Sequence, residues 1–304
     1  MLAHIFAFLA GFIVSFLLTL PVLWLIKLFR AAQTVRDEGP ASHQAKSGTP
    51  TMAGIGFVLA ITILSLVFLD FDLYARFLAI IILVVGFALI GFLDDFLKII
   101  RHQNLGLTFW QKIASQTLVA FLFCFILVLY SGYPWLLIPF WLFIIVGSAN
   151  ATNLTDGLDG LLAGCGAIAF FSFAVVAAHL QKEGLVFFSL VSSGAIAAFL
   201  LFNFPKAKTF MGDVGSLPIG AALAGVAVIL RQEFLLALIG GVFVIEALSV
   251  ILQVASYKFF KRRIFKMSPL HHHFELMGFA ENKVVIGFWV AALGFGLLGC
   301  WAAW

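Results

Sequence analysis

"FLAIIILVVGFALIGFLDDFLK", residues 77–98, runs from Phe77 to Leu93 without a charged side chain and then carries two aspartates and a lysine at its end. An apolar run close to the roughly 20 residues that cross a bilayer reads as a membrane helix. Carboxylates are too costly to leave unpaired in hydrocarbon, so such a helix delivers Asp94, Asp95 and Lys98 to one surface. Similar runs recur from end to end, and spans are expected at 4–26, 51–69, 76–93, 113–130, 134–149, 160–179, 186–203, 215–230, 234–256 and 284–303. Composition agrees: 63% of the 304 residues are hydrophobic, only 11% are charged, and the mean hydropathy is +1.13. Soluble domains carry about 25% charged residues. The expectation is an all-α, polytopic integral membrane protein of about ten transmembrane helices, a single unit over residues 1–304.

The first 30 residues show no basic leader and no small-residue cleavage site, which reads as a retained span. If that span runs outward to inward, fifteen of the eighteen Lys and Arg residues fall on the inner side, leaving Arg76, Lys182 and Arg231 outside. Basic residues favour the cytoplasmic side, so both termini are expected outside. The cluster "YKFFKRRIFK", residues 257–266, then reads as a stop at the anionic leaflet. Nucleic acid is not an expected partner. Cys124, Cys165 and Cys300 lie in apolar runs without metal-ligand spacing and read as small buried hydrophobes.

The outer connections are short, so chemistry is sought in five inner segments, 36–54, 91–99, 150–161, 203–216 and 266–279. These bring Asp94, Asp95, Asp156, Asp159 and Asp213 to one face. Any one aspartate there could merely cap a helix. Five together repel one another unless a positive charge sits among them. A hard divalent cation such as Mg²⁺ suits the set, because it takes few carboxylates and completes its shell with water and phosphate oxygens. An ion pathway is the competing explanation, weakened because only Glu246 falls clearly at mid-span.

Adjacent Asp94 and Asp95 point about 100° apart on a helix, which predicts a division of labour instead of paired chelation. Lys98, one turn on, can pair with Asp94 or meet a phosphate. Asn153, Asp156 and Asp159 recur every third residue, a pattern open to a polar stripe along one helical face. Phe210 precedes the glycine-flanked Asp213 and reads either as an interface aromatic or as a platform for a base. Lys46 sits in a polar Gly- and Pro-containing loop, where a lysine can hold a phosphate as a point charge. No strand-linked glycine-rich phosphate loop is present. The polar stretch "GSANATNLTDGLDG", residues 147–160, is expected to be a connecting loop.

Three consecutive histidines, His271, His272 and His273, point in three directions on a helix and form a poor tetrahedral cage. Separate tasks, donating to phosphate or carrying a proton, suit them better. Pro269 breaks any helix entering from the basic cluster, so a loop or a return into the membrane is expected around them.

Taken together, "GTPTM" (48–52), "LDDFLK" (93–98), "NLTDGLDGL" (153–161), "FMGDVGS" (210–216) and "SPLHHHFE" (268–275) resemble the motifs of the phospho-N-acetylmuramoyl-pentapeptide transferase family. The resemblance spans about residues 30 to 283. Ala53 departs from the glycine usual after "TPTM" but lies beside the motif. The family belongs to a superfamily that moves hexosamine phosphates from UDP-sugars to polyprenyl phosphates, and the unbroken histidine triplet is similar to its muramoyl-pentapeptide branch.

The resemblance implies transfer of phospho-MurNAc-pentapeptide from UDP-MurNAc-pentapeptide to undecaprenyl phosphate, with Mg²⁺, at the cytoplasmic face of a bacterial inner membrane. It implies Asp213 on magnesium and Asp94 and Asp95 in the chemistry. Lys46, Asp159, Phe210 and Gln253 fall around the uridine, with Phe210 stacking on uracil. Asn203 is a site asparagine, and His271, His272 and His273 form the essential histidine motif. The partners implied are membrane lipid and a second copy in a homodimer. Two rivals stay open at this point: a transferase of N-acetylglucosamine 1-phosphate, and an ion-coupled transporter, against which the chain shows no convincing repeat of the aspartate motifs between halves.

Overall fold

Helix α1 (Leu2–Leu28) opens the fold in a computed structural model that describes residues 2–29, 48–67, 74–101, 103 and 105–304. It is followed by α2 (Gly54–Val67), α3 (Tyr74–Arg101), α4 (Phe109–Ser131), α5 (Ile138–Thr155), α6 (Leu161–His179), α7 (Glu183–Asn203) and α8 (Asp213–Leu230). The chain closes with α9 (Glu233–Ile239), α10 (Gly241–Phe260), α11 (Leu270–Leu276) and α12 (Glu281–Ala302). No β-sheet forms among the described residues. Nine of these helices are long and apolar enough to cross a membrane. The tenth expected span, 51–69, corresponds to α2, 14 residues long as described.

Three boundaries differ from expectation for local reasons. The polar stretch at 147–160 is helical through Thr155, because Asn150, Thr152 and Thr155 return their side chains to carbonyls of the preceding turn. Only residues 156–160 connect α5 to α6. The expected span 234–256 is broken at Gly240–Gly241 into α9 and α10, a glycine pair being a common site of interruption. The histidines lie on a short helix, α11, where a loop or a return into the membrane is expected. Pro269 stands at its N-cap and starts the helix, where a missing N–H costs nothing.

The helices pack around α8. Of its 18 residues 94% are buried, against 28% of the best window of α1. α3, α5, α2, α6 and α9 all touch it. α3 approaches it closely at Gly91, where a Cβ would overlap the backbone of Asp213 and Val214, so only glycine permits this approach. α3 is 28 residues long, about 42 Å, more than the roughly 30 Å hydrocarbon core, so its Asp94–Lys98 turn can emerge beyond the apolar layer.

Polar contacts gather at the two ends of the bundle. At one end His4 meets Glu183 at 2.9 Å, Arg76 donates to Ser131 and the Trp141 indole donates to Glu233. At the other, the C-terminal turns of α3 and α5 meet the N-terminal turns of α4 and α8. α4 starts there because Thr108 and Gln111 form a reciprocal capping box, which sets Lys112 in its first turn.

Candidate active site

Asp94, Asp95 and Asp213 converge at that second end, with ligand oxygens all within 4.8 Å of one another. Two lysines lie among them. Lys98 Nζ is 2.6 Å from Asp94 Oδ2, 3.3 Å from Asp213 Oδ2 and 3.5 Å from Asp95 Oδ1. Lys112 Nζ is 2.6 Å from Asp213 Oδ2 and 3.9 Å from Asp94 Oδ2. Asn153 donates one amide group both to Asp213 Oδ1 (2.7 Å) and to Ser216 Oγ (2.8 Å). Asp94 and Asp95 are buried, whereas the Asp213 side chain keeps 15% of its surface and Lys98 31%, so the cluster opens on the side of these two.

The aspartate pair shares one cluster despite its angular separation. The division of labour lies in the other oxygens: Asp94 Oδ1 accepts the Leu107 amide at 2.8 Å and Asp95 Oδ2 accepts the Val214 amide at 3.2 Å. Asp94 thus fixes the segment leading into α4 and Asp95 the first turn of α8, each with one oxygen, and each turns the other toward Lys98.

The remaining motifs are fastened to this core. The Phe210 amide and the Thr209 hydroxyl donate to the Pro50 carbonyl, and the Ala53 and Gly54 amides return bonds to Phe210 and Met211. Asn203 accepts from the Gly160 amide and donates to the Thr209 carbonyl, clamping 156–160 against 204–212. His271 Nε2 abuts Gly157, where a Cβ would overlap it. All five motifs therefore meet at one end of the bundle.

The glycosyl transferase family 4 model matches residues 77–231, the stretch holding Asp94, Asp95, Asn153 and Asp213. The chain is 43% identical over 311 residues to the phospho-N-acetylmuramoyl-pentapeptide-transferase of Bacillus subtilis (strain 168), covering 97% of this chain and 96% of the relative. It is 45% identical over 305 residues to the enzyme of that name from Halalkalibacterium halodurans, covering 95% and 94%. The chain belongs to the phospho-N-acetylmuramoyl-pentapeptide transferase family. The Bacillus pumilus relative, 43% identical over 97% of this chain, carries the same name.

Within this family fold the polar stripe proposed for Asn153, Asp156 and Asp159 divides. Asn153 ends in the acidic cluster, while Asp159 accepts the Ala207 amide and donates its own amide to Glu281. Asp156 lies between them, outside the spans. Burial, with the charges of Asp213, Asp95 and Asp159, pushes its carboxyl up to about 8. Phe210 is half-buried beside the cluster's Gly212–Asp213 turn. Gln253 is engaged elsewhere: its amide holds the Ile264 and Phe265 amides and the Phe265 carbonyl. Lys46 lies outside the described residues.

The three imidazoles have three different partners. His271 Nδ1 is 3.0 Å from Glu246, His272 Nδ1 is 2.7 Å from Glu275, and His273 Nδ1 accepts the Lys266 amide at 3.1 Å. The one metal-capable cluster among the described residues is the aspartate trio. It offers hard oxygens only, and its two lysines offset two of three negative charges. That donor set fits Mg²⁺ and gives no preference to a soft metal.

Sequence reasoning missed Lys112 and Glu246. Lys112 entered only as a topology charge, and nothing along the chain ties it to Asp213. Glu246 was legible as a mid-span acid, the usual mark of a functional residue, but its partner lies 25 residues away.

Proposed function

We propose that this chain transfers phospho-MurNAc-pentapeptide from UDP-MurNAc-pentapeptide to undecaprenyl phosphate at the cytoplasmic face of a bacterial inner membrane, as a single unit over residues 1–304. The observation that carries this reading is the cluster of three aspartates, two lysines and Asn153 at one end of a membrane bundle. A polar nucleotide and a membrane lipid can meet only at such an interface. Both termini then lie outside, following the basic-residue bias.

Asp213, with Asp94 and Asp95, would hold Mg²⁺, which when bound offsets charge on phosphoryl oxygens. The lipid phosphate oxygen attacks the sugar-bearing phosphorus, a new P–O bond forms, the bond to the UMP phosphate breaks and UMP leaves. Lys98 and Lys112, already held by the carboxylates, supply positive charge to the transferring group without reorganising. Asn153 fixes the Asp213 carboxylate in place. A lipid phosphate, with a second pKa of about 6, is mostly ionised at neutral pH and needs little activation. Direct attack is therefore favoured over an aspartyl intermediate. Phe210 would carry uracil on its ring, with Lys46, Asp159 and Gln253 near the uridine, as the family resemblance implies. The same resemblance implies a homodimer.

Purified protein should be given Mg²⁺, undecaprenyl phosphate, and both UDP-MurNAc-pentapeptide and UDP-N-acetylglucosamine, and the lipid product analysed by mass spectrometry. Undecaprenyl-diphospho-MurNAc-pentapeptide with equimolar UMP is expected. The N-acetylglucosamine product alone, or no lipid product from folded protein, overturns the reading.

A further inference from the structure

Glu246 and His271 are both completely buried, on α10 and α11. Glu246 Oε1 accepts the backbone amide of His271 at 3.1 Å, and Oε2 lies 3.0 Å from the ring Nδ1. The backbone amide and the ring Nδ1 of one residue thus converge on one carboxyl group. The far ring nitrogen, Nε2, is buried with no hydrogen-bond partner among the described residues. It abuts Gly157, next to Asp156, whose carboxyl feels the charges of Asp213 and Asp95. The orphaned nitrogen therefore faces the loop that borders the acidic cluster.

We infer that Glu246 is a positioning residue, which holds His271 with its proton on Nδ1 and so presents the Nε2 lone pair to the reaction site as an acceptor. With Glu246 as a carboxylate, which only accepts, the neutral ring it faces carries hydrogen on Nδ1. A buried carboxylate behind a histidine fixes both tautomer and orientation. Neutral His271 then cannot donate from Nε2 to a phosphate oxygen; it takes up a proton or accepts a hydrogen bond there. His273 is set the opposite way, because its Nδ1 accepts the Lys266 amide and its proton sits on Nε2. The first and third rings of the triplet thus carry opposite polarity.

This inference rests on the transferase reading for its consequence, but the tautomer can be tested without turnover. Protein labelled with ¹⁵N-histidine should be compared with His271→Ala to assign the ring, at a pH where the imidazole is neutral. The wild-type ring should show a protonated Nδ1 and a bare Nε2. In Glu246→Gln the carboxamide can keep the backbone bond only by turning its NH₂ to Nδ1, so the tautomer should reverse. Its kcat should fall about 100-fold or more, with KM for the nucleotide sugar within about threefold.

A wild-type His271 protonated on Nε2 alone overturns the inference, and needs no variant to fold. So does a Glu246→Gln protein with wild-type kcat, or one that loses activity with the tautomer unchanged. If wild-type protein makes no lipid product, the transferase reading fails while the spectrum still decides the tautomer.

Discussion

Lys112, in the first turn of α4, holds Asp213, in the first turn of α8, at 2.6 Å across 101 residues of sequence. The contact joins two helix starts that share no local signal. It also places a positive charge against the most open carboxylate of the cluster. Lys112→Met should leave the bundle folded and reduce turnover. Loss of a hydrogen bond to a charged group is worth about 1.5–3 kcal/mol, or roughly tenfold to a hundredfold. Steady-state rates on folded protein check this; an unchanged kcat would remove Lys112 from the site.

Asp213→Asn keeps shape and the Asn153 contact region but removes the charge most able to hold a hard cation. Turnover should vanish and isothermal titration should show Mg²⁺ binding lost or weakened by more than about tenfold. Full activity of folded D213N at low Mg²⁺ would transfer the metal role to Asp94 and Asp95.

Asp156 gives a stability signature with a definite sign. Its carboxyl is pushed up to about 8 in the fold from an ordinary 3.8. Between these values the folded state holds a proton that the unfolded state has released, so the contribution is fully present below pH 3.8 and is lost as pH rises through 8. Without divalent ions, Tm in detergent should fall from pH 5 to pH 8.5, and Asp156→Asn should flatten that fall. Added Mg²⁺ should also flatten it, since a cation offsets the charges of Asp213 and Asp95. Equal slopes in wild type and variant would refute the assignment.

Gly157→Ala should disturb the reaction through His271 alone. The added Cβ meets the imidazole, and residue 157 has no positive φ to strain. A fall in kcat is expected in the single variant, with little further loss when it is combined with His271→Ala. Such non-additivity marks residues acting through one contact. Independent, additive losses would place the defect in the 156–160 turn itself.

The sequence alone determined the membrane class, the approximate position of the nine long apolar helices among the described residues and the identity of the five polar motifs. Hydrophobic length and the cost of charge in hydrocarbon are local properties, and both can be read along a single run such as 77–98. The same local reasoning failed where side chains replaced it: Asn150 to Thr155 look like loop but satisfy their own helix, and Pro269, past which no helix from the basic cluster continues, also begins the short α11. Only the tertiary structure decided that Asp94, Asp95 and Asp213 share one cluster, that Lys112 belongs to it, and that Glu246 stands behind His271. These pairings depend on which helix ends pack together around α8. That is set by close approaches such as Gly91 against the Asp213 backbone, which leave no periodic trace in the chain.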